Sequence, residues 1–195
     1  IVTADFQTNA FVAGTKNGFF MQSETGDGDP ATSEGLFIYS TLTDVHVGDH
    51  VRVTGTVKEQ FDLTELSPVT KIQVCSTGNS VEPTDFSLPV ASLLDFEKLE
   101  GMYVRIPQEL TIVEYYNFDQ FGEIVLGTER FMQFTALNEP DPAGFAAWNT
   151  ELGLHSILLD DGSEASNPDP ARHPNGLEFT LDNIFRGGDK LSNVI

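Results

Sequence analysis

Cysteine and long apolar runs are nearly absent from this chain. Cys75 is the single cysteine among 195 residues, which excludes an intrachain disulfide and a zinc site built from cysteines. It ends the strand-like stretch KIQVC, so we expect it to be buried and chemically inert. No apolar run approaches the roughly 20 residues that span a bilayer, and no signal-peptide pattern is visible. We therefore expect no membrane partner.

Positive charge is scarce as well. Ten Lys and Arg stand against 30 Asp and Glu, which gives a formal net charge of −20. Such a field repels nucleic acid and anionic membranes and attracts cations. Two interpretations stay open, namely solubility in a salty or extracellular medium and calcium binding. The four histidines lack the spacing of a zinc enzyme and no serine lies in a G-x-S-x-G turn, so no catalytic residue is predicted.

Short stretches with a period of two predict a mostly β fold. In VRVTGTVK, the residues Val51, Val53 and Val57 point to one face, while Arg52 and Lys58 point to the other with the threonines between them. A segment at 61–66 connects this strand to the next. The strands predicted for the first half span residues 1–7, 17–23, 35–40, 50–59 and 69–75.

The second half is predicted to mix strands with helices. A turn-rich linker at 76–87 precedes a predicted helix over 88–100, with Pro89 near its start and Gly101 just past its end. Strands are predicted at 102–106, 110–116 and 123–127. Asp141 is the expected N-cap of a second helix, which runs through Trp148 and has Gly153 as a candidate stop. The predicted division is a β unit at 1–80, a linker and helix at 81–101, and a β unit at 102–195.

Landmarks of the first half recur 140 positions later. Asp29-Pro30-Ala31 returns as Asp169-Pro170-Ala171, and Gly48-Asp49 returns as Gly188-Asp189. An apolar strand precedes an acidic loop in both halves, with FFM in the first and ILL in the second. The sequence therefore predicts two related β units. Both ends look trimmed, and we expect the parent protein to continue past residue 195 with another strand.

Short twisted strands, a Gly-Asp turn and the pattern V-x-V-x-G-x-V are what a five-stranded OB barrel needs. The stretches GFFMQ, DGDPATSEGLFIYS and VGDHVRVTGTVKEQFDLTEL resemble the OB-like region of secreted bacterial endonucleases of the ExeM/NucH type, which is similar to the OB domain of YhcR nucleases. The second half resembles the same family in LPVASLLDFEKLEGMYVRI, TIVEYYNFDQFGEIVLG, ILLDDGS and NPDP.

The resemblance implies two related OB-like β-barrel units joined by a short helical connector. It also implies an extracellular or cell-surface parent that degrades DNA through a separate catalytic domain with a divalent metal, Mg²⁺ or Mn²⁺. This chain is then a non-catalytic module that binds or positions DNA. The alternative is an acidic, calcium-binding scaffold that packs against the catalytic domain and does not touch DNA. An enzyme in its own right has little support in the sequence.

Two acidic loops are the candidate calcium sites. Calcium prefers hard oxygen ligands from carboxylates and carbonyls, and glycines give each loop backbone freedom. The spacing is not that of an EF-hand, so an ordinary solvated turn is the other interpretation. The candidate ligands are Asp27, Asp29 and Glu34 in the first loop, and Asp160 and Asp161 in the second.

Exposed cations and tyrosines are the candidate DNA contacts. Basic side chains on one strand face can follow a phosphate backbone, and aromatic side chains can stack on bases. Pairing of the cations with nearby acids, and packing of the aromatics in a barrel core, are the other interpretations. Core packing is favoured for Phe118 and Phe121. The candidates are Arg52, Lys58, Lys71, Arg105, Tyr115 and Tyr116.

Overall fold

A computed structural model describes residues 1–7 and 16–195 and divides them into two compact units. Unit 1 comprises residues 1–85 and 94–105 with residue 195, and unit 2 comprises 86–93 and 106–194. Over the described residues as a whole, strands outnumber helices, which confirms the mostly β expectation, whereas unit 2 combines its strands with three α-helices. Within the described ranges, the strands form sheets of five, four and two strands, and none of the three closes into a barrel.

Unit 1 is built on the five-stranded sheet, whose order is β1-β2-β3-β5-β4. Strands β3 and β5 run parallel, and the other neighbours run antiparallel. The two-stranded sheet pairs β6 with β7 in parallel. The strands are β1 (Val2–Asp5), β2 (Gly18–Gln22), β3 (Gly35–Tyr39), β4 (His50–Gln60), β5 (Leu63–Ser76), β6 (Thr84–Asp85) and β7 (Val104–Arg105).

One face of the five-stranded sheet holds the core of unit 1. Phe19 of β2 lies directly opposite Ile38 of β3, and neither side chain reaches solvent. Because alternate residues of a strand point to the same face, each of the five strands adds one buried side chain to this layer, and Val45 of the loop between β3 and β4 completes it. The cluster consists of Val2, Phe19, Ile38, Val45, Val51 and Ile72.

The long β4–β5 hairpin departs from the predicted alternation. Register shifts lie between Thr54 and Gly55 and between Gly55 and Val57. Such bulges rotate the following residues relative to the sheet, and Val57, expected to face inward, is 65% exposed. The connection is also shorter than the predicted 61–66, because Phe61 and Asp62 alone make the turn with φ of 52° and 59°. Positive φ at both positions is typical of a two-residue type I′ hairpin.

Unit 2 is built on a four-stranded sheet of order β10-β9-β8-β11 with antiparallel neighbours. Leu110 and Ile112 of β8, together with Ile124 and Leu126 of β9, are its most buried side chains. The elements are β8 (Leu110–Glu114), α1 (Phe118–Phe121), β9 (Ile124–Gly127), α2 (Phe134–Leu137), α3 (Pro142–Leu154), β10 (Ser156–Leu159) and β11 (Lys190–Leu191).

Of the two predicted helices, only the second forms. Asp141 caps α3 by accepting hydrogen bonds from the N–H groups of Ala143 (3.2 Å) and Gly144 (2.9 Å). The helix predicted over 88–100 is wrong, because this stretch contains two 3₁₀ turns at Leu93–Asp95 and Glu97–Leu99. The apolar side chains of this stretch do not pack together on one core, and Leu94 is 71% exposed. A helix of this length depends on burial of its apolar face.

The Gly-Asp turns are equivalent in the two units. Val2 donates its N–H to the carbonyl of Asp49 (2.8 Å) and accepts from the N–H of Gly48 (3.0 Å). Ile112 makes the same pair with Asp189 and Gly188, at 2.8 Å each. The aspartate side chain supports each turn, since Asp49 accepts the N–H of His46 (2.9 Å) and Asp189 accepts that of Arg186 (2.8 Å).

The acidic loops, in contrast, occupy different positions in the two units. Both units begin with three strands paired in chain order, β1-β2-β3 and β8-β9-β10. The first acidic loop, 23–34, connects the second and third strands of unit 1, whereas the second, 160–169, follows the third strand of unit 2. The expected correspondence between the two loops therefore does not hold, because their sequence similarity does not follow the strand pairing.

The aspartate of the first turn can be tested by stability. Asp49 is only 7% exposed, and Asp49→Ala leaves the N–H of His46 without its acceptor. We expect a loss of about 0.5–1.5 kcal/mol in the free energy of unfolding, the net contribution of a typical hydrogen bond, because this bond is partly buried. Urea unfolding measures it, with Asp44→Ala as the control because Asp44 is exposed. Equal unfolding free energies for the two variants would contradict a structural role for the turn.

Candidate nucleic-acid interface

The outer face of the β4–β5 hairpin carries two of the predicted cations. Arg52 lies opposite Gln73, and Thr54 lies opposite Lys71. Opposite residues of an antiparallel pair share a face, so Arg52 and Lys71 are diagonal neighbours with side chains about 7–8 Å apart at their bases. All four side chains are exposed. Among the described residues, Arg52 and Lys71 have no carboxylate partner.

Lys58 is not part of this face. Its Nζ lies 2.9 Å from Oε1 of Glu65, and the two residues are direct partners across the hairpin. The Glu65 side chain is only 6% exposed. A buried carboxylate requires a paired charge, and Lys58 supplies the positive charge that pairs with Glu65. The expected stripe that combines Arg52 with Lys58 is therefore interrupted by the bulges and by this ion pair.

Arg105 is paired as well. Asp85 and Arg105 are direct partners in the parallel β6–β7 pairing, and the guanidinium donates to both carboxylate oxygens, Nε to Oδ1 at 2.6 Å and Nη2 to Oδ2 at 2.9 Å. This hydrogen bonding from Arg105 holds the pKa of the Asp85 carboxyl below its ordinary value and raises the pKa of the guanidinium. The forked geometry satisfies Arg105 within the protein, and this cation is not free for phosphate.

The aromatic cluster YYNFDQF divides into packed and exposed side chains. Phe118 is 8% exposed and meets Phe179 and Phe185 at ring distances of 5.1 and 4.8 Å. Tyr115 is half exposed, with its ring edge-on to Phe185 at 5.9 Å, whereas Tyr116 is 87% exposed. Tyr116 is therefore the better placed of the two tyrosines to stack on a base. Phe121, expected in the core with Phe118, is 40% exposed.

The carboxylates of the first acidic loop organise its backbone. Glu34 accepts the N–H of Asp27 (2.6 Å), and Asp27 accepts that of Asp29 (2.7 Å). Asp29 in turn accepts the N–H of Ala31 (2.9 Å). The bonds from Asp29 to Asp27 and from Ala31 to Asp29 span two residues each and are typical of Asx turns, whereas the bond to Glu34 crosses the loop. The second carboxylate oxygens of Asp29 and Glu34 accept no hydrogen bond within the described residues.

In the second acidic loop, the carboxylates also accept hydrogen bonds from nearby backbone N–H groups. Asp160 accepts the N–H of Gly162 (2.7 Å), and Asp161 accepts that of Ser163 (2.8 Å). In the part of the chain that the structure describes, no three His, Cys, Asp or Glu side chains gather as metal ligands would. The five predicted calcium ligands therefore do not form a ready-made coordination shell, and calcium stays a prediction.

One surface feature differs from its prediction, and a second was not predicted from the sequence. Cys75, expected to be buried, is exposed on the outer face of β5. In unit 2, an open cleft lies beside α3 and is lined by Phe131, Phe145 and Trp148 among others. The concentration of aromatic residues between positions 131 and 148 is the sequence signal that could have indicated it.

Comparison with family models, with curated proteins and with solved structures found no match for this chain. None of the helices in residues 1–7 and 16–195 combines the length and the apolarity that crossing a membrane requires.

The Asp85–Arg105 pair can be tested by titration. Because the pKa of Asp85 is lower in the folded protein than in the unfolded chain, the pair stabilises the fold above the ordinary carboxyl pKa. This contribution is lost as the pH falls through the depressed value. In Arg105→Gln, we expect the pKa of Asp85 to rise toward its ordinary value, as followed by carboxyl NMR shifts. Lys98→Gln is the control, since Lys98 pairs with Asp95, and an unchanged Asp85 titration in Arg105→Gln would refute the assignment.

Proposed function

We propose that this chain is a non-catalytic module that positions DNA for a secreted nuclease, and that its two units are OB-like. An OB-fold is a five-stranded, partly open Greek-key barrel that binds oligonucleotides. Unit 1 has five strands in the order β1-β2-β3-β5-β4. The hydrogen bonds of Val2 with Gly48 and Asp49 connect edge strand β1 to the turn that begins edge strand β4. This partial connection of the two edges supports an OB-like arrangement.

The observation that carries the proposal is the exposed pair of Arg52 and Lys71. Among the described residues, ion pairs with carboxylates hold Lys58, Lys98, Arg105 and Lys190. Arg52 and Lys71 remain together on one strand face, beside the hydroxyl of Thr54 and the amide of Gln73. Cations with neighbouring polar groups are the side chains that contact phosphates.

The charge of the whole chain limits the strength of this contact. A net charge of −20 repels the DNA backbone at long range, and two cations release few counterions. Binding is therefore expected to be weak and to need low salt. A module of this kind contributes to a larger protein by raising the local concentration of its substrate, and the catalytic chemistry belongs to a separate metal-dependent domain.

Fluorescence anisotropy with labelled single-stranded DNA tests the proposal. We expect binding at low salt that weakens as salt is added. Arg52→Ala/Lys71→Ala should lower the affinity and reduce the slope of log K against log salt by about 1.4, because each single-strand phosphate contact contributes about 0.7. The control, Lys98→Ala/Lys190→Ala, removes the same charge from ion-paired positions and should keep the slope. Absence of binding at every salt concentration, or equal losses in both variants, would overturn the proposal.

A structural scaffold that does not bind DNA is the second candidate function. The observation that favours it is the pairing of Lys58 with Glu65 and of Arg105 with Asp85, which removes two of the four predicted DNA-contacting cations. In this alternative, the acidic surface packs against a catalytic domain or binds calcium. The carboxylate oxygens of Asp29 and Glu34 that accept no hydrogen bond from the described residues are the atoms through which the first loop would take part.

Calcium is tested by isothermal titration calorimetry and thermal unfolding. If the first loop binds calcium, the titration releases or absorbs heat, and the ion raises the melting temperature because it binds the folded state preferentially. Asp29→Asn/Glu34→Gln should abolish both effects, whereas Asp44→Asn/Glu59→Gln, at exposed positions away from the loop, should preserve them. No heat and no change of melting temperature with calcium or chelator would eliminate this site.

A further inference from the structure

The cleft beside α3 has the dimensions and lining of a small-molecule site. Its volume is about 640 Å³, within the range of about 300–1,000 Å³ that is usual for ligand pockets. It lies within unit 2, where α3 and the segment before α2 face β8, β9 and β10. The aromatic rings that line it are Phe131, Phe134, Phe145 and Trp148.

A β-bulge brings one carboxylate into this apolar lining. In the β8–β9 pair, Ile112 lies opposite Leu126, and the next direct pair is Glu114 with Val125, so that Val113 is the extra residue. Without the bulge, Glu114 would lie opposite Ile124, whose side chain belongs to the buried face. Bulges redirect side chains in this way and often occur beside functional sites. Here Glu114 shares the cleft face of the sheet with Val125.

The charge of Glu114 is available to a ligand. Its Oε1 accepts a hydrogen bond from the N–H of Tyr116, which fixes the side chain. Its Oε2 accepts none among the described residues. Glu114 is also the only charged residue among the described residues that line the cleft. An anionic ligand would therefore be repelled, and a neutral one would cover a carboxylate without compensating its charge.

We propose that this cleft binds a small organic cation, an alkylated ammonium group attached to an apolar body. The faces of Trp and Phe rings attract cations, and aromatic side chains are what proteins use to bind quaternary ammonium groups. Glu114 supplies the opposite charge at the edge of the cleft, and the apolar body fills the space between α3 and the sheet. Neither DNA binding nor the scaffold alternative requires this site.

Trp148 reports directly on this cleft, because it is the only tryptophan in the chain. The probe is benzyltrimethylammonium chloride, titrated against the intact chain while tryptophan emission is recorded, with benzyl alcohol as the neutral comparison. We expect saturable binding of the cation, and weaker binding of the alcohol. Added salt should weaken the cation alone, because salt screens the exposed part of the interaction.

Two pairs of variants test the proposal, the first for the carboxylate and the second for the aromatic rings. Glu114→Gln keeps an oxygen that accepts the Tyr116 N–H and removes the charge, so the cation affinity should fall about fivefold, the upper end for an exposed ion pair. Glu129→Gln, at an exposed position outside the lining, should have no effect.

The aromatic contribution is tested by Phe145→Ala, which should weaken the cation about two- to fivefold. Phe121→Ala removes a similarly exposed ring outside the cleft and should be neutral. Equal affinity for the cation and the alcohol, unchanged affinity in Glu114→Gln, or no saturable change in Trp148 emission would each overturn the proposal.

Discussion

The hydrogen-bond pair between Val2 and the Gly48–Asp49 turn is the constraint on which unit 1 depends, because it ties edge strand β1 to the turn before edge strand β4. The turn requires glycine, since Gly48 has a φ of +90° and a Cβ there would lie 2.8 Å from the carbonyl oxygen of Asn79. Asn79 holds the same turn from the other side with two bonds to the Gly48 carbonyl, each 2.9 Å. The backbone hydrogen bonds of this turn and the buried carboxylate of Asp49 thus connect residues that are far apart in the chain.

Unit 2 contains the same pair of hydrogen bonds to a Gly-Asp turn, but the elements around that turn differ. Ile112, Gly188 and Asp189 repeat the bonds of unit 1, but helices α2 and α3 lie between its second and third strands. The cleft lined by Trp148 is built largely from this added segment. The common strand framework therefore stabilises both units, while the element that distinguishes unit 2 carries its candidate ligand site. Function in many folds resides in such additions to a shared framework.

The small number of cations limits which ligands the surface can bind. Pairing of Lys58 with Glu65 satisfies a carboxylate that the hairpin buries, and pairing of Arg105 with Asp85 satisfies a guanidinium at a short parallel pairing. Of the four cations predicted to contact DNA, Arg52 and Lys71 form no ion pair among the described residues, and they lie in a strongly acidic field. The same field favours cationic ligands, and it is consistent with the carboxylate that the bulge in β8 presents to the aromatic cleft.

The sequence by itself determined the local features that depend on neighbouring residues. Alternating valines predicted β4, Asp141 and Pro142 predicted the start of α3, and the repeated Gly-Asp pair predicted a turn that both units share. Only the tertiary structure decided features that depend on partners distant in the chain. Bulges exposed Val57 and redirected Glu114, the register paired Lys58 with Glu65, and the predicted helix at 88–100 lacked a surface on which to bury its apolar face. The physical reason is that bulges, ion pairs and helix burial are set by the register and position of a second strand, which no single segment encodes.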